Sequence, residues 1–73
     1  MARINDNLTV QMVGVAAVVR HDSSGIEALV PLDDVGVREV LAPDFVWPFP
    51  ATDTEVAQIA FWLGYFYAHH WNR

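Results

Sequence analysis

The side chains with the widest chemical reach are three histidines, nine carboxylates and a pair of adjacent serines. Their spacing decides what they can do. His69 and His70 are neighbours near the carboxyl end, and His21 stands far away. Adjacent residues of a helix point about 100° apart, so this pair does not converge on one ion, and the i, i+4 spacing that would is missing. Asp33 and Asp34 fall among turn residues, where short carboxylates bond the local backbone or cap a helix. His21, Asp22, Ser23 and Ser24 contain the residue types of a nucleophilic triad, but four consecutive loop residues do not assemble one around an oxyanion site. Paired acids tuned for proton transfer need a cleft, which so short a chain can hardly build. No glycine-rich phosphate loop or dinucleotide fingerprint occurs. The expectation is a protein without catalytic residues, metal or cofactor.

The elements that carry these residues belong to one domain spanning 1–73. A domain of this length buries only about 60% of its unfolded surface, so each large apolar side chain is needed in a core or at an interface. There is no cysteine, which fits a reducing bacterial cytoplasm. The opening residues are polar rather than leader-like, and the apolar run from Ile59 to Ala68 is far short of the ~20 residues that span a bilayer. The net charge is −5, and all four basic residues (Arg3, Arg20, Arg38 and Arg73) are scattered arginines. Nucleic-acid backbones call for clustered cations, so direct nucleic-acid binding is not expected. An acidic surface favours solubility and a basic partner.

Residues 1–7 read as a flexible N-terminal arm. Leu8, Val10 and Met12 alternate with Thr9 and Gln11, the period of a half-buried strand, and valines continue the pattern to Val19 with a shift at Gly14 that suggests a bulge. His21 to Gly25 is turn chemistry, and Ile26, Ala28 and Val30 predict the returning strand of a hairpin, limited by Pro31. Leu32 to Leu41 admits two readings. Val35, Val37 and Leu41 favour a third short strand or an irregular turn, whereas Asp34 as a cap would start a helical turn. Prolines at 43, 48 and 50 make 42–51 an extended connector carrying Phe45, Trp47 and Phe49. Thr52 and Glu55 form a capping box that opens a helix over 53–70, with acids at its start and histidines at its end. The predicted fold is α+β, a small antiparallel sheet packed on one C-terminal helix.

All four Phe, three Trp and two Tyr lie between Phe45 and Trp71. On a helical wheel Val56, Ile59, Ala60, Leu63, Phe66 and Tyr67 form the core face. The opposite side carries Gln58, Phe61, Trp62, Tyr65 and His69, and no carboxylate follows Glu55. In one reading Phe45, Trp47 and Phe49 fold back and cover Trp62 and Tyr65. In the other, Phe61, Trp62, Tyr65 and His69, joined by Trp47 and Phe49, form a partner-binding surface, since exposed apolar patches mark interfaces and Trp and Tyr dominate their energetics. Self-association is a third use of the same patch.

Arginine without lysine fits a GC-rich genome. In its length, its acidity, its lack of cysteine and its opening Met1-Ala2-Arg3-Ile4-Asn5-Asp6-Asn7-Leu8, the chain resembles the small RNA-polymerase-binding transcription regulators of Xanthomonas bacteriophages. That resemblance implies a monomeric protein of the host cytoplasm that docks on the polymerase core, at the β′ amino-terminal region near the β flap and RNA exit channel. It would inhibit σ-dependent initiation and, helped by NusA, suppress termination. It supplies no contact residues. Two other readings stand beside it, an anti-CRISPR-like inhibitor of another host complex and a virion assembly module. Nucleic-acid mimicry calls for carboxylates in a regular row, and here they are dispersed through loops and strand ends.

Overall fold

The valine-rich stretch from Leu8 to Val19 is not one strand. Gly14 takes φ 61, a left-handed conformation that glycine adopts without steric cost. With Val15 it makes the two-residue loop of a hairpin, glycine first, whose twist suits the flanking strands. The computed structural model describes residues 2–71. On either side of that loop lie β2 (Leu8–Val13) and β3 (Ala16–His21), paired antiparallel with Val10 opposite Val19. A second turn through Gly25 leads to β4 (Ile26–Pro31), which pairs with β3 through Val30 opposite Ala17.

Residues 2–7 are not a free arm. Ala2–Arg3 forms β1, pairs with β2 and buries Ala2. Asn5 makes the return turn, its Oδ1 accepting from the backbone N–H groups of Asn7 at 2.8 Å and Leu8 at 2.9 Å. The result is a four-stranded antiparallel meander in the order β1-β2-β3-β4.

Leu32 to Leu41 is largely helical, against the expected strand or irregular turn. Helix α1 covers Asp34–Leu41, and the cap is Asp33 rather than Asp34, its Oδ1 accepting from the Gly36 N–H at 2.6 Å. It ends at Ala42, whose extended backbone is what a following proline requires. Residues 42–51 form a connector without helix or strand, as expected, but it is not extended throughout. A turn closes at its start with the Phe45 N–H donating to the Ala42 carbonyl at 3.1 Å, and the chain bends again at 48–49.

Helix α2 covers Asp53–Trp71. Its capping box is present in both directions, with the Thr52 N–H donating to Glu55 Oε1 at 2.9 Å and the Glu55 N–H donating to Thr52 Oγ1 at 3.2 Å. Asn5 Nδ2 adds a bond to Glu55 Oε2 at 2.7 Å, tying the β1–β2 turn to the helix start. The Thr52 N–H bond and, after it, the Asn5 bond hold the Glu55 carboxyl below its ordinary value of 4.5. A depressed carboxylate stabilises the fold above the unfolded value, and that contribution is lost as pH falls through the folded value. Acid titrations of the parent and Glu55→Gln, followed by circular dichroism, should therefore show a stability gap that is open above about pH 4.5 and narrows below it.

Both helices cover one face of the sheet. Leu8, Val10, Ala17, Val19 and Val30 from the sheet meet Ile59, Leu63 and Phe66 of α2, with Val37 and Val40 of α1 closing the side. Of the six residues read as the core face of α2, these three are buried, and Val56, Ala60 and Tyr67 are half-buried. No helix among the described residues is long and apolar enough to cross a membrane.

Candidate docking surface

A helix that packs on a sheet by Ile59, Leu63 and Phe66 turns Phe61, Tyr65 and His69 outward, because those positions lie on the far side of the 3.6-residue period. Phe61 is 66% exposed and Tyr65 51% exposed, and His69 is also exposed. Trp62 sits between this face and the core, half-buried. Its ring meets Phe61 at 5.4 Å and 87°, Tyr65 at 5.6 Å and 79°, and the buried Phe66 at 5.9 Å and 35°. Tyr65 in turn stacks on His69 at 5.8 Å and 8°. Edge-to-face and offset contacts of this kind restrain rings that solvent would otherwise leave mobile. Phe61, Trp62, Tyr65 and His69 thus form one continuous surface.

Trp47 and Phe49 do not join it. Phe49 is 5% exposed and belongs to the core, stacked on His21 at 5.3 Å and 5°. Trp47 is half-buried, tilted on Phe49 at 5.7 Å and edge-on to Phe45 at 4.9 Å. The connector does fold back, but its contact with the sheet at His21 is made by Phe49, with Trp47 against Phe49 and Phe45 against Trp47. No ring contact among the described residues links them to Phe61, Trp62 or Tyr65. The covering expected for Trp62 and Tyr65 is therefore absent there, and Phe49 drops out of the partner-binding set.

The residues with catalytic types are committed to structure. Asn7 Oδ1 accepts from the Ser23 N–H at 2.9 Å, which fixes its amide, so Asn7 Nδ2 donates to His21 Nε2 at 2.9 Å. The His21 proton then resides on Nδ1 and is donated to Ser24 Oγ at 2.7 Å. Ser24 Oγ also accepts from the Ile26 N–H at 3.2 Å. An imidazole that donates to a serine cannot take that serine's proton, so the pair locks the β3–β4 turn rather than activating a nucleophile. Among the described residues no group of three or more His, Asp or Glu side chains could hold a metal ion.

Two features of the α1–α2 side have no counterpart in the sequence reading. The Tyr67 hydroxyl donates to Asp34 Oδ1, and this bond pushes the Tyr67 hydroxyl above its ordinary value. Trp71 Nε1 donates to the Leu32 carbonyl at 2.9 Å, pinning the end of α2 to the chain before α1. At the other end of α2, against its first turns, runs an apolar groove of about 530 Å³ lined by Phe45, Val46, Trp47, Val56, Ala57 and Ala60. The small side chains at 57 and 60 opposite a proline-bound aromatic segment are the only signal that could have found it.

Charge is unevenly placed. The ion pairs among the described residues, Arg3–Asp22 at 3.4 Å, Arg20–Asp22 at 3.4 Å and Arg20–Glu27 at 3.5 Å, all lie at the turn end of the sheet. Asp33, Asp34, Glu39, Asp44 and Asp53, on or beside the helices, make no ion pair among the described residues. The helical side therefore presents the greater share of unneutralised negative charge. Comparison with protein-family models, curated proteins and solved structures finds no match for this chain.

Proposed function

We propose that this chain is a protein-binding module that docks through the Phe61–Trp62–Tyr65–His69 face of α2, and that its partner is a bacterial RNA polymerase. The observation that carries the docking reading is the exposure of Phe61 and Tyr65 on a helix whose opposite face already fills the core. A small domain that leaves two large rings in water does so at a cost that a partner would remove.

The choice of partner rests on two further supports. One is the resemblance of the chain's size, composition and opening residues to phage regulators of polymerase. The other is the net charge of −5, concentrated on the helical side, which suits a basic surface such as an RNA exit region. In this reading a phage-encoded regulator occupies the core enzyme at the β′ amino-terminal region and β flap. There it inhibits σ-dependent initiation and, with NusA, suppresses termination.

Electrostatic steering and an aromatic anchor have separable signatures. Binding of purified core polymerase to the immobilised chain should slow in its association step by roughly tenfold or more between low and physiological salt, with a much smaller change in dissociation. No binding at either salt concentration would rule out polymerase as the partner.

A further inference from the structure

We propose that the outer face of α2 also pairs with a second copy of this chain, the two helices running antiparallel. This goes beyond the reading above, since it needs no foreign partner. Ala57, Phe61, Gly64 and Ala68 follow one another at spacings of four, three and four, which keeps them on a single seam of the helix. Ala57, Phe61 and Ala68 are exposed and Gly64 is half-exposed.

Gly64 is the telling residue. Glycine inside a helix is less stable than alanine, and the backbone here does not require it, because the positive-φ glycines are Gly14 and Gly25. Nor does internal packing, since a Cβ at position 64 would meet nothing within 4 Å. A close approach from outside the chain gives the missing side chain a use. A two-fold axis that sets Phe61 over the partner's Gly64 also sets Gly64 beneath the partner's Phe61 and Ala57 against the partner's Ala68. The seam is then self-complementary, a ring entering a hole twice over.

Charge selects the direction. From Val56 to Ala68 there is no Asp, Glu, Lys, Arg or His, so two copies of a chain with net charge −5 can meet there without juxtaposing like charges. The first turn of α2 carries Asp53 and Glu55 and the last carries His69 and His70. Antiparallel pairing sets the helix dipoles in opposition and keeps the acidic ends of the two copies apart, whereas parallel pairing stacks acid on acid. The seam from 57 to 68 is only about 16 Å long at 1.5 Å per residue, so the dimer is weak and dissociates on dilution. Phe61 serves both this seam and the partner face, so self-pairing and docking exclude each other.

Sedimentation velocity of the full chain without any other protein, over roughly a hundredfold range of concentration, should show monomer giving way to dimer. Gly64→Leu fits the open space in the monomer and blocks the hole. It should remove the dimer at every concentration, and its melting temperature when dilute should not fall. Phe61→Ala, which leaves the core untouched, should weaken the dimer at least tenfold and guards against a folding defect at position 64. In an oxidised mixture of Ala57→Cys and Ala68→Cys, crosslinks should join the two variants in preference to like with like. A monomer throughout, a Gly64→Leu dimer as tight as the parent, or predominantly like-with-like crosslinks would overturn the proposal. Each readout is made without polymerase, so a failure here is distinct from a failure of the docking reading.

Discussion

Phe49→Ala should lower the unfolding free energy by roughly 3–5 kcal/mol, the usual cost of removing a buried phenylalanine. A chain of 73 residues has a total stability of only about 4–11 kcal/mol at ordinary values per residue, so this one change takes a large share of it. The ring is 5% exposed and lies flat on His21, with Trp47 tilted against it. Removing it uncovers the imidazole that bonds Asn7 and Ser24, so the lock on the β3–β4 turn loosens along with the packing. Phe61→Ala, a change of the same size made on the outer face, should stay within about 0.5 kcal/mol of the parent. Urea denaturation of the two variants side by side measures the difference. A loss below 1 kcal/mol for Phe49→Ala would place the connector outside the core.

Gly36→Ala should destabilise the fold by roughly 1–3 kcal/mol, against the sign expected from helix propensity. In an exposed helix interior that substitution gains about 1 kcal/mol. Here a Cβ at position 36 would fall on the Pro31 carbonyl oxygen and lie 3.0 Å from Pro31 Cβ, and backbone cannot move aside as a flexible side chain can. α1 rests on the end of β4 through this contact, and Val37 and Val40 reach the core only if it is kept. Gly64→Ala is the control, because that position is open within the chain and should show the ordinary gain in dilute protein. The two melting curves should therefore shift in opposite directions. A stabilised Gly36→Ala would mean that α1 does not pack on Pro31.

The parts of the fold that were legible in the sequence are those with a local chemical signature. Thr52 and Glu55 announce the start of α2 because both bonds of a capping box lie within four residues. The alternation from Ile26 to Val30 announces β4 in the same way. Gly14 misled because valines on both sides continue an apolar run, so a two-residue turn looks like a bulge in a longer strand. β1 is two residues long and carries no period, so its pairing is decided by β2 and not by its own sequence. The helix at 34–41 was not legible because Gly36 disfavours one as a local preference, and its reason for being there is a close approach to the Pro31 backbone that only the folded chain shows.

The docking face followed the same division. Phe61 and Tyr65 were legible from the wheel, since the side of a helix follows from its period alone. Trp47 and Phe49 were not, because rings between prolines have no period to say which way they turn. Phe49 went inward to His21, which only the tertiary structure brings within 5.3 Å.

The most direct measurement combines two readouts on one variant, Phe61→Ala with Tyr65→Ala. The two rings are 66% and 51% exposed, so the doubly substituted chain should keep the parent's far-ultraviolet spectrum and melt within a few degrees of it. Its affinity for purified RNA polymerase core should fall by roughly a hundredfold or more, as loss of an aromatic hot spot does. A variant that stays folded and binds polymerase as tightly as the parent, or one that unfolds, would contradict the claim that these rings are surplus to the core and held for a partner.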